Sequence, residues 1–251
     1  MSSTPTDLDA TGLVADVVRS SVVDGPGHRY VVFLQGCNFD CLACHNPQTI
    51  PGHAPLEGHR PRHRSVADLL DDIRTVAPLL RGITVSGGEP TQQWHFVRSL
   101  FGAIKADPVL GRLTCFVDSN GSCPNATWDA LAPVLDGAMI DLKCLDPVRH
   151  RALTGQGNDE VLSSIRRLHE LGRLHEVRLL LVEGHNDDPE LVAATARWLA
   201  DLQPTMRIVL IGLRTHGIRP TEPPLRETSA QVLDRTADTL RRAADFELQV
   251  I

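Results

Sequence analysis

The sequence of 251 residues lacks the features of several large protein classes. No apolar run approaches the ~18 residues that indicate a membrane-spanning helix. The N-terminal residues MSSTPTDLDATG are polar and do not show the basic and then apolar order of a secretory signal. The chain carries 25 basic and 31 acidic residues, so it has no positive excess for nucleic acid. We therefore expect a cytoplasmic protein with neither membrane nor nucleic acid as a partner.

Cysteine and lysine are both scarce, and the few that occur are unevenly placed. Six cysteines are too few for a disulfide scaffold. Three of them, Cys37, Cys41 and Cys44, fall within eight residues, which in a reducing compartment indicates metal binding. Lys105 and Lys143 are the only lysines among 25 basic residues. A lysine that is kept in such an arginine-rich chain can have a chemical reason.

Apolar segments of β type alternate with amphipathic helical segments along most of the chain. The β segments are 30–34, 82–85, 113–117, 138–142, 177–182 and 207–213. This alternation is typical of parallel strands joined by right-handed helical crossovers. Six units are too few for a closed barrel of eight strands, so the sequence predicts an α/β fold with an open, partial (β/α)6 barrel. We expect residues 1–251 to form one domain, with loops at 48–64 and 215–226.

Five short motifs follow directly on predicted strands. They are Gly36-Cys37, residues 86–89, residues 118–121, residues 141–143 and Glu183-Gly184. Ligand sites of parallel α/β sheets lie at the carboxyl ends of the strands. The sequence therefore predicts one site at a rim that these motifs share.

The spacing Cys37-x3-Cys41-x2-Cys44 places three thiolates on one short loop. Three ligands on a cubic four-iron cluster leave one iron open, as catalysis at a cluster requires. The alternative is a zinc site of three cysteines and one histidine. His45 is next to Cys44, and neighbouring side chains rarely converge on one tetrahedral ion. The other histidine candidates are His53, His59 and His63.

The cysteine motif resembles the signature of radical S-adenosylmethionine (SAM) enzymes. Further motifs narrow the resemblance, and they are VDGPGHR at 23–29, CHNP at 44–47, VSGGEP at 85–90, DSNG at 118–121 and MIDLK at 139–143. Together they resemble the activating enzymes of glycyl radical enzymes, of the pyruvate formate-lyase activase type. The resemblance runs from about residue 14 to residue 216. The segments around Ser86 and Asp118, with 178–180 and 215–217, are most similar to the YjjW-type branch.

The resemblance implies a radical SAM fold with one [4Fe-4S] cluster held by Cys37, Cys41 and Cys44. SAM would bind the open iron, and its reductive cleavage would give a 5′-deoxyadenosyl radical. That radical would take a hydrogen atom from a glycine of a partner glycyl radical enzyme, under anaerobic conditions. Residues 45–85 contain no cysteine, so the ferredoxin-like insert of many activases is absent. A flavodoxin or a ferredoxin would then supply the electron, and we expect the activase to be a monomer.

The resemblance also implies the residues that contact SAM. They are Gly87, Gly88, Glu89, Asn120, Lys143 and Arg178. The glycines let the backbone approach the ligand, Glu89 accepts from the SAM amino group, and Lys143 pairs with the SAM carboxylate. A further SAM contact after the last barrel strand falls on Arg214 or on His216. Many relatives carry an aromatic residue at the position of Ala43, so we expect adenine to be held by backbone and apolar contacts.

Two further sites follow from the resemblance. A monovalent cation is implied, with the ligands Asp118, Ser119, Met139 and Asp141. Two neighbouring carboxylates repel each other unless a positive charge lies between them. Asp24, in the Asp-Gly-Pro-Gly turn, is implied to contact the peptide of the partner enzyme.

Two other functions are consistent with parts of the sequence. One is a radical SAM enzyme with a small-molecule substrate, similar to 7-carboxy-7-deazaguanine synthase. A closed pocket over the rim would favour it, whereas an open groove would favour a protein substrate. The other is a non-catalytic iron–sulfur or zinc protein. We expect no second cluster, because Cys115, Cys123 and Cys144 are scattered and Cys115 falls in a predicted core strand.

Overall fold

A computed structural model describes residues 7–51 and 60–251 of the chain. Nine strands are found there: β1 (Thr11–Ser21), β2 (Arg29–Leu34), β3 (Arg62–Ser65), β4 (Gly82–Gly87), β5 (Thr114–Ser119), β6 (Gly137–Asp141), β7 (Leu174–Leu181), β8 (Arg207–Gly212) and β9 (Glu247–Val250). The α-helices in the same residues are α1 (Val66–Val76), α2 (Trp94–Ala106), α3 (Asn125–Leu131), α4 (Pro147–Thr154), α5 (Asp159–Glu170), α6 (Pro189–Leu202) and α7 (Ala230–Ala243).

The strands form one sheet in the order β3-β1-β2-β4-β5-β6-β7-β8-β9. From β2 to β9 every neighbouring pair is parallel, and β1 runs antiparallel to both β2 and β3. The six predicted β segments correspond to β2 and to β4 through β8. Because β2 and β8 pair with β1 and β9 rather than with each other, the six-stranded parallel unit stays open. The predicted α/β fold with a partial barrel is confirmed.

Three strands were not predicted, and one of them corrects a predicted loop. Residues 48–64 were expected to be a loop, but Arg62–Ser65 forms β3 and pairs with β1. Its basic side chains show no alternation of apolar and polar residues, so the strand depends on its pairing with β1. Charged side chains on an edge strand also discourage pairing with other chains. Residues 215–226 contain no helix or strand, as predicted.

Alternation along the strands separates an apolar face from a polar one. Val117 on β5 and Ile140 on β6 have no exposed surface and belong to the main apolar core. Asp118 and Asp141, the next residue in each strand, point to the opposite face and line a cavity. The polar face is therefore the inside of the barrel. Among the described helices, none combines the length and the apolar character that crossing a bilayer requires.

Candidate active site

The carboxyl ends of the parallel strands enclose a cavity of about 310 Å³. Its walls include most of the predicted site residues, namely Cys37, Cys41, Cys44, Gly87, Gly88, Asp118, Ser119, Asn120, Asp141, Lys143 and Arg178. Four of the five predicted motifs therefore meet at one rim. The fifth, Glu183-Gly184, lies instead in a neighbouring groove with residues 219–226.

The three motif cysteines lie on a loop that the rest of the fold supports. All three thiols are unbridged and half-buried. The backbone N–H groups of Asp40 and Leu42 donate to the carbonyls of Thr154 and Leu153, both at 2.9 Å. These carbonyls belong to the last turn of α4. The backbone carbonyls of the last turn have no hydrogen-bond donor within the helix itself. The end of α4 thus holds the loop in place over the cavity.

Burial and nearby charge act in opposite directions on the loop thiols. Burial raises the pKa of Cys37 to about 12 and that of Cys41 to about 11. At Cys41 and Cys44 the positive charge of Lys143 opposes this rise. A thiol that coordinates a metal is deprotonated outright. Lys143 is therefore placed to offset the negative charge that coordinated thiolates would bring.

Two of the histidines considered for a zinc site, His45 and His63, have other surroundings in the structure. Within the described residues, no three side chains of His, Cys, Asp or Glu lie close enough together to hold a single ion. The His45 ring Nε2 donates to the Arg214 carbonyl at 2.9 Å, and His63 is exposed on β3. His53 and His59 lie outside the described residues. Three soft thiols spaced around a cavity fit a multi-iron cluster better than one tetrahedral ion.

Gly87 and Gly88 are required by the close approach of two backbone segments. A Cβ on Gly87 would lie 2.3 Å from the backbone nitrogen of Leu34, and a Cβ on Gly88 would lie 1.9 Å from the carbonyl oxygen of Gly36. Gly87 also has a φ of +110°. The glycines therefore let β4 pack directly against the start of the cysteine loop, and both line the cavity.

The Glu89 carboxylate makes its contacts within the protein, and its acceptance from the SAM amino group stays a prediction. Glu89 has no exposed surface and is not part of the cavity wall. Its carboxylate accepts from Thr91 N (2.9 Å), Thr91 Oγ1 (2.6 Å), Ser119 Oγ (2.8 Å) and Asn120 N (2.8 Å). Burial raises the pKa of Glu89, and these donors favour its ionised form. Glu89 thus ties the end of β4 to the end of β5.

Asn120 connects the end of β5 to the cysteine loop. Its amide Nδ2 donates to Asn38 Oδ1 at 3.1 Å and lies 3.8 Å from Cys37 Sγ. Its Oδ1 accepts from the backbone N–H of Ser122 at 2.9 Å. Asn120 also lines the cavity, so a contact with SAM stays a prediction for this residue.

Two pairs of opposite charges face the cavity. Arg178 Nη1 donates to Asp118 at 3.0 Å and its Nε donates to Glu176 at 2.7 Å. Lys143 Nζ donates to Asp141 at 2.8 Å. Burial raises the pKa of Asp118, and the charge of Arg178 opposes this effect. Both cations keep further N–H groups for a ligand, because a guanidinium has five donors and an ammonium has three.

The four predicted cation ligands, some of which would act through backbone oxygens, lie at the ends of the neighbouring strands β5 and β6. Asp118 and Met139 are direct neighbours on β5 and β6. The hydroxyl of Ser119 donates to Glu89 and so is already engaged. Asp118 and Asp141 each have a basic partner, so side chains of the protein offset their repulsion. A monovalent cation at this place stays a prediction.

Arg214 and His216 follow the last barrel strand, β8, as the resemblance implied. Neither residue lines the cavity, and both are exposed. The backbone N–H of Leu213 still donates to the Leu181 carbonyl at 3.1 Å, and the chain then leaves the sheet. The Arg214 side chain is 71% exposed and lies 3.8 Å from Glu227. A SAM contact from Arg214 or His216 stays a prediction.

Asp24 lies in the turn between β1 and β2 and does not line the cavity. Its carboxylate accepts from the hydroxyl of Ser21, and its backbone carbonyl accepts from Thr84 Oγ1 at 2.6 Å. Its negative charge acts on Asp118 and contributes to the raised pKa of that residue. The turn therefore lies near the Asp118 side of the cavity. A contact with a partner peptide stays a prediction.

Two residues that matter for the site were missed in the sequence. Asn186 Nδ2 donates to the carbonyls of Lys143 and Leu180, both at 2.7 Å, and its Oδ1 accepts from Val182 N at 2.7 Å. It therefore holds the end of β6 against the end of β7. The His-Asn-Asp-Asp context of Asn186 indicates only a turn. Glu176, the second partner of Arg178, lies two residues before it on the same face of β7, and this spacing of opposite charges was the available signal.

Comparisons with known proteins agree with this site. Residues 31–196 match the Radical SAM superfamily. The pyruvate formate-lyase-activating enzyme of Staphylococcus epidermidis is 32% identical over 217 residues, which cover 82% of this chain and 83% of the relative. The superfamily uses a [4Fe-4S] cluster together with SAM.

Solved structures share the fold. A domain of pyruvate-formate lyase-activating enzyme from Bacteroides vulgatus has a TM-score of 0.54 at 24% identity, covering 67% of this chain and 98% of that chain. SuiB from Streptococcus suis, bound to precursor peptide SuiA, has a TM-score of 0.65 at 15% identity, covering 88% of this chain and 48% of that chain. The chain belongs to the radical SAM superfamily and is an enzyme related to the pyruvate formate-lyase-activating enzymes.

Proposed function

We propose that the chain is a glycyl-radical-enzyme activase in which Cys37, Cys41 and Cys44 hold one [4Fe-4S] cluster. The observation that carries the proposal is the meeting of the three thiols with Lys143 and Arg178 in one cavity. The name of the Staphylococcus epidermidis relative supports a partner of the pyruvate formate-lyase type.

The cluster and SAM, when bound, supply the reductive cleavage that yields a hydrogen-abstracting 5′-deoxyadenosyl group. The residues of the chain bind and orient SAM. The ammonium of Lys143 and the guanidinium of Arg178 suit the SAM carboxylate, and the carboxylates of Asp118 and Asp141 suit its positive groups. Backbone atoms of Gly87 can approach the ligand closely. Asn186 and Glu176 keep the two cations in their positions.

The apolar part of the cavity suits the adenine ring. Ala43, Leu180, Val182 and Ile211 all line it. Such side chains exclude water from the reacting atoms and allow a flat ring to pack without hydrogen bonds of its own. This agrees with the small residue at position 43, which leaves space where an aromatic side chain is implied in relatives.

The size of the cavity favours a protein substrate over a small molecule. About 310 Å³ is near the lower limit for a site that encloses one drug-sized ligand, so SAM alone would occupy most of it. The parallel unit is also open between β2 and β8. We propose that a polypeptide segment of the partner enters from that side. Since all six cysteines are described and three of them are buried elsewhere, we propose that a separate flavodoxin or ferredoxin supplies the electron.

Electron paramagnetic resonance tests the proposal. The cluster is assembled without oxygen and reduced, and SAM is added with the pyruvate formate-lyase of Staphylococcus epidermidis. We expect a glycine-centred doublet, together with deuterium transfer from a glycine-deuterated partner into 5′-deoxyadenosine. Formation of 5′-deoxyadenosine with no doublet and no deuterium transfer would mean either that this pyruvate formate-lyase is the wrong partner or that the substrate is a small molecule, and a second glycyl radical enzyme as partner would separate the two. No cleavage of SAM by a chain with an intact cluster would contradict the proposal altogether.

A further inference from the structure

The side chain of Asn120, the first residue after β5, lies against the sulfur of Cys37. Asn120 is 8% exposed, and its amide Nδ2 is 3.8 Å from Cys37 Sγ and 3.1 Å from Asn38 Oδ1. The nitrogen of a side-chain amide carries two N–H donors. Asn120 can therefore use one donor on Asn38 and the other on the sulfur.

The orientation of this amide is fixed by a backbone donor. Asn120 Oδ1 accepts from the backbone N–H of Ser122 at 2.9 Å and from the Ser122 hydroxyl at 2.5 Å. A backbone N–H can only donate, so its partner must be the oxygen of the amide, and the nitrogen faces Cys37. Asn38 Nδ2 donates to Ser122 Oγ at 2.7 Å, so the three polar side chains form a closed ring of hydrogen bonds.

The backbone of Asn120 is held in place as well as its side chain. Its N–H donates to Glu89 Oε2 at 2.8 Å, and Glu89 has no exposed surface. Burial raises the pKa of Cys37, the backbone N–H of Phe39 at 3.4 Å lowers it, and the negative charge of Glu89 raises it again. Burial and Glu89 thus disfavour negative charge on this sulfur, whereas N–H donors favour it.

We propose that Asn120 donates a hydrogen bond to the cluster-bound sulfur of Cys37 and so raises the reduction potential of the cluster. This inference rests on the proposed function, because it requires Cys37 to be a cluster ligand. Reduction adds negative charge to a cluster and its sulfur ligands, so a hydrogen bond to sulfur favours the reduced form. Cleavage of SAM requires the reduced form, and Asn120 therefore assists the entry of the electron.

The test compares two substitutions of Asn120 with a matched control. Asn120→Asp keeps the oxygen of the amide and replaces its donor group by a second oxygen. Asn120→Ala removes both groups. Asn158→Ala is the control, because Asn158 is 1% exposed and its amide also donates twice, but to the backbone carbonyls of Cys144 and Leu145, at 3.1 and 2.7 Å.

The clusters are assembled without oxygen, counted by iron and sulfide analysis, and titrated with redox dyes in the absence of SAM. For Asn120→Ala we expect the ratio of reduced to oxidised cluster at a fixed potential to fall about fivefold, the value of one hydrogen bond. This fall corresponds to about 40 mV for a one-electron couple. Asn120→Asp should fall further, because it brings a negative charge next to the sulfur. Asn158→Ala should stay within about twofold of the parent protein.

A measurement on the parent protein keeps the test decisive if a variant assembles no cluster. The parent is produced with asparagine that carries ¹⁵N only in its side-chain nitrogen, and the reduced cluster is studied by pulsed electron paramagnetic resonance. We expect a weak coupling of ¹⁵N to the cluster spin, because a hydrogen bond to a ligand sulfur carries spin density. The coupling should persist in Asn158→Ala and disappear in Asn120→Ala.

Four results would overturn the inference. They are an unchanged ratio in both Asn120 variants at full iron content, an equal fall in Asn158→Ala, and a parent protein without ¹⁵N coupling. The fourth is a raised Kd for SAM with an unchanged ratio, since the amide would then serve SAM and not the cluster. If the parent protein itself assembles no four-iron cluster, the proposed function fails first, and that result is distinct because it appears before any substitution.

Discussion

The chain has three cysteines at the cavity and three in the apolar core, so the same thiol group occurs in two different surroundings. Cys37, Cys41 and Cys44 are half-buried on one loop. The other three, Cys115, Cys123 and Cys144, are 0%, 4% and 5% exposed and lie in separate parts of the core. Burial raises the pKa of a thiol in both sets, to about 12 at Cys37 and equally to about 12 at Cys115.

The comparison shows that thiol pKa alone does not mark a metal ligand in this protein. The two sets of cysteines differ in the surroundings of their side chains. The loop thiols face one shared cavity, whereas Cys115 lies in β5 with its side chain in the apolar core. Even the neighbouring charges are alike, because Lys143 acts on Cys41 and Lys105 acts on Cys115. Each set therefore supplies matched controls for the other.

The largest expected effect is the loss of the cluster. Cys41→Ser should abolish the cluster and reduce SAM cleavage by more than about a hundredfold, since a hydroxyl does not replace a thiolate ligand. Cys115→Ser should leave iron content unchanged. Iron analysis and visible absorption of both variants, assembled side by side, measure this difference. Equal iron in the two variants would break the distinction between the cysteine sets.

The two lysines provide the next comparison. Lys143→Met should raise the Kd for SAM by about tenfold to a hundredfold, the value of a hydrogen bond to a charged group. Lys105→Met removes the ion pair with Asp136 at 2.5 Å and should leave SAM binding unchanged. Calorimetric titration of SAM into the cluster-loaded variants measures both. Similar losses in the two variants would mean that Lys143 acts through overall stability.

A smaller effect is expected in the pH dependence of iron uptake by the metal-free chain. Because burial holds the pKa of Cys37 near 12 and that of Cys41 near 11, both thiols are protonated in the metal-free chain at neutral pH. Taking up iron must release these protons, so uptake should become faster as pH rises. Because the fraction of a thiolate grows about tenfold per pH unit well below its pKa, we expect about a tenfold gain in rate per pH unit between roughly pH 6.5 and 8.5. The measurement is the rate of iron uptake, and a rate that falls with pH would contradict the account.

The smallest effect is expected for the cysteines of the apolar core. Cys115→Ala should lower the free energy of unfolding by about 1–2 kcal/mol, because it leaves a small cavity in a packed core. Denaturant unfolding of the metal-free chain gives this value. Cluster assembly and SAM binding should be unchanged in the folded variant. A loss of iron binding at full stability would give Cys115 a role that its position does not suggest.

The sequence predicted the parts of the structure that depend on local pattern. The six parallel strands followed from apolar runs, and the cavity followed from motifs at the ends of those strands. β3 was missed because its pairing with β1 is not visible in its own basic residues. The C-terminal strand β9 has only four residues, of which three are exposed and one is half-buried, so no apolar pattern predicts its pairing with β8.

The directions of the side chains at the site were harder to predict from the sequence than the positions of the strands. Glu89 has a chemically suitable carboxylate, but four donors from neighbouring backbone and hydroxyl groups turn it into the core. Arg214 was placed by the resemblance to the activases, and in the structure its side chain is exposed after Leu213. The support from α4 joins segments more than a hundred residues apart, as the bond from Asp40 to Thr154 shows. Such contacts depend on the folded chain and not on local sequence.

The most direct test of the account is metal and sulfide analysis combined with electron paramagnetic resonance of the reduced protein, with and without SAM. The account predicts iron and sulfide in equal amounts, as in one cubic cluster, and a signal that changes shape when SAM is added. It also predicts that both disappear in Cys41→Ser and persist in Cys115→Ser. Bound zinc, or a cluster signal that SAM does not change, would contradict it.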